Sequence, residues 1–519
     1  MAAATTSGGG TGTGSKNLVL AAMIFAVGMT FIDQTIVSIA VPEIQRELGL
    51  SATGVQWVVN AYLLTLAATF AIGGRIADIV GRRKMVVLGV IVFATASALN
   101  GAVPDGDLAE AWFIFFRAIQ GVGAALMLPA ALAIVVGSFE LRERGKALAV
   151  FFAITGGLTA IGPIAGGYLS EWTWRAIFWV NVPVAIIALI LIMKAKPADT
   201  KEPAPFDYRG AALLVFGMGA GVLGFQQASQ WGWSDPATLG CVVGGIVLLV
   251  AFVAVEARTE HPVIRVSIFK SRAFATENVV LFLSMIAFIP MFFFASMYAQ
   301  IALGNSVSEA GLYMMTFFAG FAIASQFGGR ILDKVGAKPA VVLGCGVGAV
   351  GFALWANELT DLSFNSQWPY IVIAGAGIGF MLGPASTDAV NRASQAAYGE
   401  VSGITQTVRN YGASLGLAIL GAILISQNRS NVEESLARFH IPTARADEIA
   451  RSLTQSNGGD KQRFTEKAGS NAAKVFESIQ LDFAQATKVV FFVMAGALAV
   501  ATVVALAGLQ RGRQEAIVD

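Results

Sequence analysis

The chain has 519 residues, of which 55% are hydrophobic and only 13% charged. Soluble domains carry about 25% charged residues, so the deficit points to lipid as the main solvent and excludes one soluble core of this length. A net charge of +2 offers no basic surface to nucleic acid, and the scattered Cys241, Cys345, His261 and His440 supply neither a disulfide framework nor a metal site.

Residues 1–17, rich in Ala, Thr, Gly and Ser, read as a disordered tail without a cleavable signal peptide. A spanning helix needs roughly 20 apolar residues. Fourteen such stretches follow, at roughly 18–41, 54–76, 84–103, 109–137, 146–170, 174–194, 209–229, 236–257, 276–303, 307–332, 339–357, 367–391, 400–426 and 487–510. The glycine clusters at 217–221 and 344–348 lie inside two of them and suit close helix packing better than a nucleotide loop. No G-x-x-x-x-G-K-[ST] loop occurs, so ATP is not expected to drive the chain directly, and no cofactor is expected.

Basic residues in short loops set the orientation. They follow every even-numbered span: Arg82, Arg83 and Lys84; Arg142, Arg144 and Lys146; Lys194, Lys196, Lys201 and Arg209; Arg258, Arg265, Lys270 and Arg272; Lys334 and Lys338; Arg392. The other side carries almost none, with Arg46 as the exception. Both termini, including 511–519, are therefore expected on the cytoplasmic side of the membrane. One long polar loop, 427–486, falls outside, with a helical pattern at Val475, Phe476, Ile479 and Phe483. That stretch suits either a membrane-surface helix or a solvated one.

The nonapeptide Gly73-Gly74-Arg75-Ile76-Ala77-Asp78-Ile79-Val80-Gly81 recurs as Gly328-Gly329-Arg330-Ile331-Leu332-Asp333-Lys334-Val335-Gly336. Seven of nine positions match, 255 residues apart, and each copy ends an even-numbered span. The chain thus reads as an all-α membrane protein of 6 + 2 + 6 helices: a six-helix half at 18–194, two inserted helices with their linkers at 195–274, and a pseudo-symmetric half at 275–510. Two parallel halves with a site between them at mid-depth is a recurrent transporter plan.

The first copy, Gly74-Arg75-Ile76-Ala77-Asp78-Ile79-Val80-Gly81-Arg82-Arg83-Lys84, resembles the loop between helices 2 and 3 of the major facilitator superfamily. Arg117-Ala118-Ile119-Gln120-Gly121-Val122-Gly123 resembles its helix-4 motif, and Gly157 through Gly162-Pro163-Ile164-Ala165-Gly166-Gly167 the helix-5 motif of its antiporters. Ile32-Asp33-Gln34-Thr35-Ile36-Val37-Ser38-Ile39-Ala40-Val41-Pro42 is similar to the helix-1 motif of the fourteen-helix drug:proton antiporters, apart from Ser38 where Asn is common. Trp174-Arg175-Ala176-Ile177-Phe178 and Pro384-Ala385-Ser386-Thr387-Asp388-Ala389 fit the same family. The resemblance implies a major facilitator fold and proton-driven drug efflux, with the matching acid and arginine serving proton coupling and drug binding.

The residues carry their own physical reading. Asp78 with Arg82 and Arg144, between Gly74 and Gly81, suits a cytoplasmic charge latch, repeated at Asp333, that releases on conformational change. Gly162 over Gly166 and Pro163 over Gly167, one turn apart, offer a smooth, bendable face on which the other half can rock. Only Asp33, Arg117 and Arg409 lie well inside spans, where a charge costs at least ~2.5 kcal/mol and so marks function. Counted from Pro42 and Ala109, Asp33 and Arg117 both sit about 12–14 Å below the outer end. An apolar site favours a neutral acid and a neighbouring guanidinium favours the carboxylate. Asp33 is therefore the expected proton carrier and Arg117 its tuner.

Arg409 is close enough to Asp388 for a second intramembrane pair, structural or gating. Glu256, Glu277, Glu309 and Glu400 sit at span ends and read as interfacial. The position 255 residues after Asp33 is Phe288, in a run with Met291 and Phe292, so the second half presents a soft apolar wall. Those three, with Trp57, Asn60, Tyr62 and Gln120, are the candidate substrate-lining residues. The expected partners are protons, lipid and a small lipophilic cationic or neutral molecule, handled by a monomer. The alternative is a dedicated proton-coupled exporter of one endogenous metabolite or lipid. The intact motifs argue against a transport-dead scaffold, and the lack of a nucleophile or histidine cluster against an enzyme.

Overall fold

The computed structural model describes residues 13–139, 141–199, 201, 205–391, 398–438 and 472–512. Every regular element among them is helical. The fourteen long helices are α1 (Thr13–Leu48), α2 (Ala52–Val80), α3 (Arg82–Gly101), α4 (Ala109–Ser138), α5 (Leu141–Trp172), α6 (Ala176–Ala195, interrupted at Val180), α7 (Tyr208–Trp231), α8 (Pro236–Glu256), α9 (Arg272–Ile301), α10 (Val307–Val335), α11 (Ala337–Glu358), α12 (Phe364–Asn391), α13 (Tyr398–Arg438) and α14 (Ala472–Gly508). Each coincides with one predicted span, and thirteen are both long and apolar enough to cross a membrane on the residues described. The fourteenth, α5, has 32 residues.

Short polar signals set the helix starts. Ser51 accepts from Gly54 N at 2.8 Å to cap α2, and Asp207 and Asp235 cap α7 and α8. Ser306 and Glu309 form a capping box on α10. Gly81 and Gly336, with φ of 127° and 94°, make the abrupt turns from α2 to α3 and from α10 to α11.

Two expectations change. α1 begins at Thr13, inside the expected tail, and runs past Pro42 to Leu48. The stretch at Val475, Phe476, Ile479 and Phe483 is neither a surface helix nor a solvated one, but a continuous extension of α14. Its apolar stripe is buried because α13 also continues outward, to Arg438. There Ser435 Oγ donates to Asp482 Oδ1 at 3.0 Å, and Asn431 Nδ2 to the Asp482 carbonyl at 3.1 Å. Residues 439–471 of the expected outer loop lie outside the described residues.

The internal repeat is also a repeat of packing. A Cβ on Gly73 would lie 2.2 Å from the Ala125 carbonyl oxygen, and one on Gly328 would lie 2.2 Å from that of Phe380. Both partners are displaced by 255, from 73 to 328 and from 125 to 380. Gly89 against Met127 matches Gly344 against Met381, the glycines 255 residues apart and their partners 254. Only glycine lets these backbones touch, so α2–α4 and α3–α4 are built like α10–α12 and α11–α12.

The contacts that join α1–α6 to α9–α14 converge at one end. Near the 302–306 turn, Gly167 of α5 presses on Ser308, and Gly311 of α10 on the Pro163 carbonyl. On the opposite flank, Gly421 of α13 meets Gln56 of α2. Three turns along α5, on the same face as Gly167, Gly156 meets nothing within 4 Å. Five turns along α13, on the same face as Gly421, Gly403 meets nothing either. Both pairs of facing helices therefore touch at one end and splay apart at the other.

Candidate functional site

Four helices meet around one carboxylate. Asp33 on α1 and Arg117 on α4 are each 1% exposed. Arg117 Nη1 donates to Asp33 Oδ2 at 2.6 Å, and Gln120 Nε2 to Asp33 Oδ1 at 2.8 Å. Both carboxylate oxygens are thus satisfied. Arg117 Nη1 also reaches Gln120 Oε1 at 2.9 Å, and its Nε donates to the Val58 carbonyl of α2 at 2.8 Å. Asn100 Nδ2 of α3 donates to Gln120 Oε1 at 3.1 Å. The guanidinium carbon stands 4.5 Å from the ring centroid of Tyr62, whose hydroxyl donates to the Thr30 carbonyl at 3.4 Å. An ion pair buried this deeply is tolerable only with such a complete set of partners.

Local sequence explains the assembly. Arg117 and Gln120 are three apart and share a helix face. A Cβ on Gly121 would lie 2.5 Å from the Tyr62 carbonyl oxygen, and one on Gly123 would lie 2.7 Å from Phe93 N. The two glycines let α4 sink against α2 and α3, which brings the arginine within reach of Asp33. The matched depth expected from residue counting is therefore met by direct contact. Asn100 escaped sequence reasoning because a lone Asn in an apolar span carries no periodic signal.

The helix-5 glycines divide their work. Gly162 and Gly166 pack under Thr35 and Ile36 of α1, and Thr35 Oγ1 donates to the Thr159 carbonyl at 2.9 Å. Pro163 and Gly167 alone face α10. At the α2–α3 loop, Asp78 pairs with Arg82 at 2.9 Å, while Gly74 lies over Pro129. Asp199 accepts from Arg83 N at 3.1 Å and occupies the space beside Gly81, a partner the sequence did not reveal. Asp333 is exposed, and the side chain of Arg144 lies outside the described residues.

Several expectations are corrected. Arg409 does not pair with Asp388. Its Nη1 donates to Gln406 Oε1 at 2.6 Å, because it sits on the face of α13 between the α9 and α2 contacts, while Asp388 is buried on α12. Glu277 is not interfacial but 0% exposed, inside the α9 packing. Glu256 is buried too, accepting from Ile264 N at 2.9 Å. Arg46 is not the sole basic residue at its end: Arg175 stands there too, held by Glu47 and Asp105, as Arg46 is by Glu43. Asn60 joins helices: its Nδ2 donates to Gln226 of α7, and its Oδ1 accepts from Ser414 of α13 at 2.5 Å. Trp57 is half-buried one turn earlier.

In the second half, Phe288 stacks on Phe321 at 5.7 Å and Phe317 at 6.2 Å, and Phe292 on Phe318 at 5.2 Å. Phe317 is 255 residues after Tyr62, so an aromatic stack occupies the place of the charged cluster. Met291 and Phe292 are fully buried in it, and Phe321 is its half-buried member.

The sequence profile of the Major Facilitator Superfamily matches residues 23–417. A puromycin resistance protein of Streptomyces alboniger, pur8, is 35% identical over 78% of this chain and 80% of its own length. The multidrug transporter protein MdtP of Bacillus subtilis is 30% identical over 82% and 78%. A tetracenomycin C resistance and export protein of Streptomyces glaucescens is 29% identical over 94% and 90%. Among solved structures, a bacterial homolog of the human lysosomal transporter Spinster shares the fold, with a TM-score of 0.67 at 17% identity over 96% of this chain and 98% of that one.

Proposed function

Because the chain belongs to the Major Facilitator Superfamily and is a multi-pass membrane transporter, we propose that it exports small, largely apolar molecules in exchange for protons. Asp33 carries the proton, and Arg117 with Gln120 hold it when it is ionised. The supporting observation is the cluster itself: the carboxylate is 1% exposed, yet bonded through both oxygens to groups on α4. Protonation removes the charge that Arg117 and Gln120 hold, so it loosens α1 from α4. One proton moving down about 100 mV releases ~2.3 kcal/mol, enough for a roughly 50-fold gradient of a neutral substrate. The relatives are named for resistance to or export of puromycin, tetracenomycin C and multiple drugs, which favours multidrug efflux over one dedicated metabolite.

The frame is 6 + 2 + 6 helices in a bacterial inner membrane, working as a monomer, with both termini cytoplasmic as the basic loops direct. In that orientation the touching ends of α5–α10 and α2–α13 are outside and the splayed ends inside. The conformation is then inward-open, with the way to Asp33 from the cytoplasm. No metal or organic cofactor enters the cycle.

The test is dye movement in proteoliposomes under an imposed pH gradient. The native protein moves ethidium only while the gradient lasts, and Asp33→Asn does not. Gradient-independent movement, or an active Asp33→Asn, rejects the reading.

A further inference from the structure

Arg409 stands apart from the described charge pairs. Its carboxylate candidates are occupied or out of reach: Asp33 is held by Arg117, and Asp388 forms no ion pair with it. Its Nη1 has the neutral Gln406 amide, while its buried Nε has no hydrogen-bond partner. A guanidinium carries five donors in a fixed fork matched to carboxylates, and buried donors left unfilled are costly.

The helix geometry says where this fork points. On α13, Gly412 and Gly416 press on Phe282 and Ile286 of α9, Gly421 on Gln56 of α2, and Tyr411 reaches Gly221 of α7. At 100° per residue, Gln406, Arg409, Ala413 and Leu417 share the face between the α9 and α2 contacts, opposite Tyr411 and the inserted helix. That face looks into the space between the two helix groups. Ala413 and Leu417 are buried where the groups touch, and Gln406 and Arg409 are half-buried where they splay.

We propose that Arg409 binds the anionic group of the transported molecule, so that substrates include amphiphiles bearing a carboxylate or phenolate. This rests on the transporter reading above. It adds a cationic recognition point in the second half, separate from the proton site. The substrate class then extends beyond lipophilic cations and neutral molecules.

The experiment is equilibrium binding of rhodamine B and its ethyl ester to the full chain in lipid nanodiscs, read by fluorescence anisotropy. The two dyes share a chromophore and differ in one free carboxylate. A charge-assisted bond predicts about tenfold tighter binding of the acid. Arg409→Gln removes that preference and leaves the ester's Kd unchanged, and Arg409→Lys keeps most of it. If Arg409→Gln binds neither dye, Arg409→Lys decides: preference kept supports the proposal, preference lost overturns it. No preference in the native protein, or a preference that survives Arg409→Gln, also overturns it. The same proteins in proteoliposomes under a pH gradient separate the two readings. Gradient-driven dye movement without a carboxylate preference keeps the export reading and rejects the Arg409 site. A preference abolished by Arg409→Gln without gradient-driven movement does the reverse.

Discussion

The buried pair at the centre of the site makes a prediction about stability that is separate from transport. In Arg117→Met, Asp33 keeps only Gln120 as partner, and Val58 loses its side-chain donor. Removing one member of a buried ion pair costs about 3–5 kcal/mol, because the other is left charged and desolvated. Asp33→Asn is expected to cost less, about 1–3 kcal/mol, since Val58, Gln120 and the Tyr62 ring still hold the guanidinium. The double variant Asp33→Asn/Arg117→Met strands no charge, so it should be more stable than Arg117→Met alone. The coupling energy from the cycle should be about 2–3 kcal/mol. The assay is unfolding of all four proteins in one detergent at one pH, followed by tryptophan fluorescence. Costs that add to within about 0.5 kcal/mol would show that the two groups do not depend on each other, and would refute the reasoning.

Other predictions follow from named contacts. Gly167→Val has no room, since even its Cβ would lie 2.9 Å from the Ser308 backbone, so expression and thermal stability should fall. Gly156→Trp, on the same face in open space, should leave stability nearly unchanged but stop transport by blocking closure; unaltered turnover would contradict the splayed geometry. Asn60→Ala removes the partner of both Gln226 and Ser414, and should destabilise the fold by about 1–3 kcal/mol, less if Gln226→Leu is added. Asp199→Ala withdraws the acceptor from Arg83 N and should cost about 0.5–2 kcal/mol, measured by the same unfolding assay.

What could be read in advance was what depends on periodicity and counting. Fourteen apolar stretches became fourteen helices because hydrocarbon thickness fixes span length. The repeated nonapeptide became a repeated packing because the same glycines solve the same close approach. Asp33 and Arg117 were legible because a charge in lipid needs a reason, whereas Gln120 and Tyr62, expected to line a substrate cavity, are fully buried around that pair. What stayed hidden depends on the rotation of one helix about its axis relative to another. Arg409 and Asp388 were placed by depth alone, and depth does not say which neighbour a side chain faces. Asn60 looked like a cavity residue until its contacts with α7 and α13 were visible, since sequence does not say where inserted helices dock. Asn100 and Asp199 act through single side chains that leave no pattern. The α14 extension was misread because its stripe has the same spacing whether it covers lipid or a second helix.

The most direct test of the central claim is substrate-driven proton movement. Proteoliposomes carrying a pH dye inside receive an outward substrate gradient with no imposed pH difference. The account predicts internal acidity changing with substrate flux in the native protein. In Asp33→Asn, substrate should still bind but drive no proton movement. Substrate flux in the native protein without any pH change, or an unchanged proton signal in Asp33→Asn, would contradict it.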